Sequence, residues 1–384
     1  MKILYFIATY GADRGGHYQS LLHISSEVGK TEEIKLFSIG DVESDVIKDS
    51  IYYEKFISIT PNKLVGSIKY LKQLYRDFKP DVIHCFDWKS FVLIKFILLG
   101  NETKLVLNLC GGPNPKIFPI FKNIIVFSKE NFEWFSERSK YSSALIKLIP
   151  NRVVPLDLRK MSSDIQYDHE FFTFVRIARI GKAYKNGILK SIHLIEKLNA
   201  SGFGKVRLLV IGFVENLEDF NFLKKETDKL NVTFITEDIY TKNASKMLYL
   251  ADAIIGTGRS LMEATSISKP VLTFDVNVQI PVLLTENNIV PYLKTNFSER
   301  NLHSSSDESK AYEEIKALIT SKSIYEDCSK FSRDSFEKYF DVRKGAEEYI
   351  SFYKNIKNKK IRIVFDDWIW LLRVVKFYFM RLLK

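Results

Sequence analysis

The chain alternates short apolar runs with helix-length stretches, and this alternation restricts its fold more than any other feature. Ile3–Thr9, Ile34–Ile39, Asp81–Cys85, Lys104–Leu109 and Ile124–Ser128 are strand-like, and a helix is expected from about His17 to Val28. Runs such as Val82–Ile83 and Ile124–Phe127 are apolar at consecutive positions, which suits strands covered on both faces. Strands separated by helices build βαβ units and a mostly parallel sheet. The pattern pauses at Leu148–Asn151, and residues 157–170 are polar. A second series follows: strand Phe171–Ile177, helix Gly187–Ala200, then strands Val206–Ile211, Val232–Ile235, Ala253–Ile255 and Pro270–Phe274. A length of 384 residues suits two domains. The expected fold is α/β, with two doubly wound, Rossmann-like domains facing across a cleft. Ligands of such sheets bind beyond the carboxyl ends of the strands, so the loops after strands are the candidate site.

The loop after Ala253–Ile255 is the most specific. Gly256-Thr257-Gly258 is a glycine-bracketed turn, and Arg259, Ser260, Leu261 and Met262 open a helix behind it. Glycines let a backbone approach a ligand, and a helix start presents free N–H groups to an anion. One carboxylate, Glu263, stands a turn inside. A phosphorylated ligand with hydroxyl groups, such as a nucleotide sugar, fits this layout. Ser260-Leu261-Met262-Glu263 is equally an S-x-x-E capping box, in which Glu263 merely closes the helix.

Arg179 and Lys185 lie in the loop after Phe171–Ile177, where a guanidinium and an ammonium can clamp a diphosphate and neutralise a leaving group. A solvated basic loop is the plainer alternative. In the first half, Gly11–Gly16 is a glycine-rich turn in which Gly15-Gly16 lets a substrate approach. His17 and His84 are possible partners for a substrate hydroxyl or phosphate, or structural histidines. Gly111-Gly112 form another turn after a strand.

Composition narrows the class. Apolar residues make up 46% and charged residues 27%, as in a globular protein. Cys85, Cys110 and Cys328 are too few and too scattered for a disulfide framework or a metal cluster, which suits a reducing cytoplasm. There is no P-loop, nucleophile elbow, H-E-x-x-H or D-x-D, and no nucleic-acid-binding module, so no nucleic-acid partner is expected. Ser304-Ser305-Ser306 is the only low-complexity run.

Taken in order, the segments resemble the family 4 glycosyltransferases, whose fold is GT-B. The resemblance rests on Gly15-Gly16, PDVIHCF (Pro80–Phe86), FSKE (Phe127–Glu130), IPN (Ile149–Asn151), ARIGKAYKNG (Ala178–Gly187), VIG (Val210–Gly212), GRSLMEATSISKPVL (Gly258–Leu272) and FDVRKGAEEYISFY (Phe340–Tyr353). It implies a retaining, metal-independent transferase with a nucleoside-diphosphate sugar as co-substrate and no other cofactor. Arg179 and Lys185 would bind the diphosphate, Glu263 the ribose, and the amides of Ser260–Met262 would cap the phosphates. With them, Gly212, Gly258 and Arg259 would form the donor side. Gly15 and Gly16 would be donor-binding as well and shape the cleft floor near the acceptor, with His17, His84, Gly111 and Gly112 on the acceptor side. Residues 1–155 would be the acceptor-side domain and 156–335 the donor domain, with 336–353 a helix crossing back. Three positions depart from the family. Ile255 stands in place of the first of two glutamates, no histidine occurs near Asn108–Cys110, and Arg152 replaces the glycine after Pro-Asn.

The net charge of +11 favours acidic partners, and much of it is terminal: from Lys354 to Lys384 nine basic residues accompany two acidic ones. Residues 354–384 form a basic tail in which Ile361–Lys384 combines a charged arc with a wide apolar one. That pattern predicts a helix lying on an anionic membrane surface, or one packed on the protein itself or in a dimer. Truncation after Tyr353 is expected to leave a soluble, donor-binding protein. The functional expectation is a cytoplasmic hexosyltransferase, peripheral on the inner face of the membrane, acting on a lipid-linked or cell-surface glycan. A nucleotide-sugar epimerase of the same fold and a non-catalytic membrane-associated relative are the alternatives.

Overall fold

The computed structural model describes residues 1–10, 15–160, 164–203, 205–303 and 307–382. Residues Gly11–Arg14 of the first glycine-rich turn, the Ser304–Ser306 run and the last two residues of the tail lie outside them. The chain forms two compact units, Met1–Arg152 with Val342–Lys384, and Val153–Asp341.

The first unit begins β1 (Lys2–Thr9), α1 (Gly16–Val28), β2 (Glu33–Gly40), β3 (Tyr53–Ser58), α2 (Pro61–Phe78) and β4 (Val82–Cys85). It continues α3 (Trp88–Ile97), β5 (Glu102–Leu109), β6 (Asn123–Val126), α4 (Lys129–Ser136) and β7 (Leu145–Leu148). Its strands lie parallel in the order β3-β2-β1-β4-β5-β6-β7. The four residues of β4 and of β6 are all buried, as the consecutive apolar residues Val82–Ile83 and Ile124–Val126 lead one to expect. Local chemistry sets the helix ends. Pro61 opens α2, and Lys79 ends it in the left-handed conformation (φ 50°) just before Pro80. The Asp87 carboxylate accepts from the amides of Lys89 and Ser90 at the start of α3 and from Ala8 of β1 at 2.6 Å. Ser128 of the FSKE segment caps α4 through the Asn131 amide.

The second unit contains β8 (Phe172–Ile177), α5 (Lys185–Ala200), β9 (Val206–Ile211), α6 (Leu217–Lys225), β10 (Val232–Ile235), α7 (Asp238–Thr241) and β11 (Ala253–Ile255). After α8 (Arg259–Ser266) come β12 (Val271–Thr273), β13 (Val282–Leu283), α9 (Ile289–Leu293), α10 (Glu308–Thr320) and α11 (Lys322–Ser335). The sheet order is β10-β9-β8-β11-β12-β13, parallel except for β13. Phe174, Leu208, Val210, Ile254 and Leu272 fill its core. The order reverses between β8 and β11, so the loops leaving these two neighbours open side by side at the carboxyl edge.

The chain re-enters the first unit with α12 (Val342–Asn355), β14 (Lys359–Lys360) and α13 (Phe365–Leu382). The strand β14 adds antiparallel to β5. The last helix, α13, lies against α3, with Trp370 and Trp88 in edge contact at 5.1 Å. Its inner face, Asp367, Trp370, Val374 and Tyr378, is buried at the spacing of one helical stripe. The basic tail is therefore docked along one side. Truncation after Tyr353 would uncover that part of the core and leave Lys95, bonded to Asp367 at 2.6 Å, without its partner. The expectation of a soluble truncated protein is corrected on this ground.

Candidate functional site

The loop after β8 carries Arg179, and Lys185 is the first residue of α5. Both cations are engaged. Arg179 donates to Glu215 Oε1 at 3.1 Å and to the Tyr184 hydroxyl at 3.4 Å, and Lys185 donates to Asp219 Oδ1 at 3.0 Å. Arg179 and Glu215 remain 41% and 42% exposed, so this pair contributes little stability and can exchange its carboxylate for another anion. Neither acid was singled out in the sequence. The position of Asp219 nonetheless has a local signal, since Asn216 caps α6 through the Asp219 amide at 2.8 Å.

Two features fix this loop. An added Cβ on Gly212 would stand 1.8 Å from the Ala178 carbonyl oxygen, so no side chain fits where β9 runs out beside the Arg179 backbone. Gly212 shapes this loop by permitting the approach. Arg176, wholly buried, donates to Glu299 at 2.8 Å, and Glu299 accepts from the Gly187 amide at 3.1 Å. Burial pulls the Arg176 pKa down and pushes that of Glu299 up. The pair ties the start of α5, and with it Lys185, to β8. Glu299 lies over a hundred residues from Arg176, and no local pattern announces it.

The turn after β11 differs from the capping-box alternative. Gly258 is the N-cap with φ 52°, a conformation costly for other residues, and no side chain caps the helix. Ser260 donates its hydroxyl back to the Thr257 carbonyl at 3.1 Å. Glu263 instead accepts from Arg259 at 2.7 Å, with both side chains largely buried. The capping reading of Glu263 is thereby set aside. Among the described residues the amides of Ser260 and Leu261 have no acceptor, while the Met262 amide reaches Gly258 weakly at 3.3 Å. Leu261 and Met262 bury their side chains completely, so they offer only backbone. Ile255 is also fully buried, and no carboxylate occupies the end of β11. A loop with two cations thus adjoins a helix start with uncommitted N–H groups and one carboxylate, which suits a diphosphate joined to a sugar diol.

In the first unit, Gly15 is the N-cap of α1 and Gly16 its first residue; the His17 ring lies against Tyr18 at 4.0 Å. Gly111 and Gly112 have φ of 85° and 91° after β5, and the Gly112 carbonyl accepts from Asn131 at 3.3 Å. His84 does not fit the acceptor-side expectation. It is fully buried inside the sheet, with Nδ1 at 2.6 Å from the Tyr353 hydroxyl, which is also 3.1 Å from that of Tyr5. It is a structural histidine. Arg152, the departure after Pro-Asn, is buried too and pairs with Glu348 of α12. Asn108 accepts from the Tyr349 hydroxyl at 3.1 Å.

Burial lowers the His84 pKa from 6.5 to about 3. Between those values the unfolded chain takes a proton that the folded chain refuses. The stabilising contribution is complete above about pH 6.5 and is lost as pH falls toward 3. Urea midpoints measured from pH 7 to 5 should decline in the wild type and decline less in His84→Asn. Equal slopes would place the acid sensitivity elsewhere.

Comparison with known proteins bears on the fold. Residues 3–131 match the family model described as Glycosyl transferase 4-like. No curated sequence matches significantly. The structure of Anabaena HepE with UDP-glucose superposes with a TM-score of 0.62 and 15% identity, over 93% of this chain and 100% of that one. The trehalose-6-phosphate synthase OtsA gives 0.61 and 13%, over 94% and 100%. The UDP-GlcNAc 2-epimerase from Neisseria meningitidis, bound to UDP-GlcNAc, gives 0.57 and 15%, over 92% and 100%. The two parallel α/β sheets are those of the GT-B fold.

Proposed function

We propose, on the premise that the stretch 3–131 belongs to the Glycosyl transferase 4-like family, that this protein is a glycosyltransferase using a UDP-sugar donor. The observation that carries the reading is the β8–β11 switch point, where Arg179 and Lys185 neighbour the start of α8. Arg179 and Lys185 would exchange Glu215 and Asp219 for the diphosphate and stabilise it as it leaves, without a bound metal. The amides of Ser260 and Leu261 would take the phosphate oxygens, and Glu263 would accept from the ribose hydroxyls. The UDP assignment is supported by relatives bound to UDP-glucose and UDP-GlcNAc. The transfer is read as retaining, moving a hexosyl group to a lipid-linked or cell-surface glycan at the inner face of a membrane. Support for the membrane part is the outer face of α13, where Trp368, Leu372, Val375 and Phe379 are exposed. Among the described residues no helix is long and apolar enough to cross a membrane.

Incubation with UDP-glucose and with UDP-GlcNAc, reading free UDP and the recovered sugar, tests the function. Transfer or slow hydrolysis releases UDP. Conversion of UDP-GlcNAc to its 2-epimer without lasting UDP release would make the chain an epimerase, and no turnover of a panel of nucleotide sugars would make it non-catalytic.

Glu263→Gln isolates the ribose contact. The amide still accepts hydrogen bonds but loses the charge, an interaction of about 1.5–3 kcal/mol, so donor affinity should fall roughly 10- to 100-fold. The fold should survive with a modest fall in melting temperature, since Glu263 caps nothing but its largely buried pair with Arg259 loses one charge. A lowered melting temperature with unchanged binding would contradict the assignment.

A further inference from the structure

Both α2 and α13 pack on α3 and leave a groove between them. It encloses about 510 Å³, inside the roughly 300–1,000 Å³ usual for small-molecule sites. Leu64 and Ile68 of α2, Phe96 of α3, and Leu371, Val375 and Phe379 of α13 line it, and Ser67 and Lys72 are its only residues outside the apolar set besides Tyr378. The lining continues outward without a break. Val375 and Phe379 are more than half exposed, and beside them Trp368 and Leu372 are bare on α13, as is Val65 on α2. The same two helices also carry exposed cations. Lys63, Lys69 and Lys72 of α2 and Arg373 and Lys376 of α13 are exposed, and none is ion-paired among the described residues. An apolar slot that opens onto an apolar surface, on helices that also carry unpaired cations, matches a lipid with a hydrocarbon chain and an anionic headgroup.

We propose that the α2–α13 groove takes one hydrocarbon chain of an anionic bilayer lipid, so that α2 joins α13 in seating the first unit on the membrane. This rests on the membrane reading of α13 given above and adds a binding site to it. Two measurements on the full chain separate the site from the surface. One is the fluorescence of cis-parinaric acid, which rises when its chain is buried. The other is sedimentation with phosphatidylglycerol–phosphatidylcholine vesicles. The wild type should bind the probe saturably and sediment in a salt-sensitive way. Leu64→Trp and Val375→Trp, which fill the groove from opposite helices at partly exposed positions, should each weaken probe binding at least 10-fold with unchanged circular dichroism. Arg373→Glu with Lys376→Glu should cut vesicle binding at least fivefold and weaken binding of the probe, itself a carboxylate, less than either tryptophan variant does. Undiminished probe binding in both tryptophan variants would overturn the groove. Saturable probe binding without vesicle sedimentation would overturn the membrane lipid as its source.

Discussion

Arg179→Ala and Lys185→Ala should each slow donor turnover by 30- to 1,000-fold while the fold survives. Each removes one charge-assisted contact to a leaving diphosphate, which amounts to about 2–4 kcal/mol of transition-state stabilisation. The fold should tolerate the loss because Arg179 is 41% and Lys185 31% exposed, and each bonds an acid that solvent can hydrate. The acids supply a control. On the proposed reading the phosphates replace Glu215 and Asp219 as partners of the two cations, so Glu215→Gln and Asp219→Asn should not reproduce the loss. Steady-state UDP release checks all four variants. Near-wild-type rates in both cation variants would remove Arg179 and Lys185 from the mechanism.

Asp367→Ala should be the most damaging substitution in the first unit. Asp367 and Lys95 are both nearly solvent-free, and their 2.6 Å contact joins α13 to α3. Lys95 also donates to the Ile120 carbonyl at 3.2 Å, which cannot offset the charge alone. Asp367 Oδ2 accepts from the Val364 amide at 2.8 Å, so the variant also loses the lead-in to the helix. Breaking a buried pair from one side costs about 3–5 kcal/mol, because a buried charge is left behind. Replacing both, as Lys95→Met with Asp367→Leu, should cost markedly less. Equal denaturation midpoints for the single and double variants would mean that lost packing, not the stranded ammonium, sets the penalty.

The parts of the fold that could be read from the chain are those whose signal is local. Val82–Ile83 of β4 and Ile124–Val126 of β6 are apolar at consecutive positions because neighbours cover both faces, and the Gly258–Ser266 segment announces a turn and a helix by composition. The helix α2 was not anticipated. Leu64, Ile68, Leu71, Tyr75 and Phe78 recur at helical spacing, but only Leu71 and Phe78 are buried and Leu64 is exposed, so the stripe that marks a core-facing helix is weak. Site residues divide the same way. Arg179, Lys185 and Glu263 follow strands that the pattern locates. The partners Glu215 and Glu299 come from elsewhere in the second unit, and pairing over such separations leaves no mark in one sequence. His84 stays open between a ligand partner and a structural histidine in the sequence, because a strand-end histidine looks the same whether it meets solvent or, as here, a tyrosine hydroxyl in the core. The capping box failed for a positional reason: with Gly258 as N-cap, Ser260 is already inside the helix and Glu263 lies beyond reach of the first amide.

Hydrogen exchange with and without UDP tests the central claim most directly, since it locates the nucleotide without assuming a sugar or an acceptor. Saturating UDP should slow exchange at Gly256–Met262 and around Arg179–Gly187, the two loops that leave β11 and β8, and leave the first unit unchanged. Protection confined to the first unit, or binding with neither loop protected, would contradict a donor site at the β8–β11 switch point.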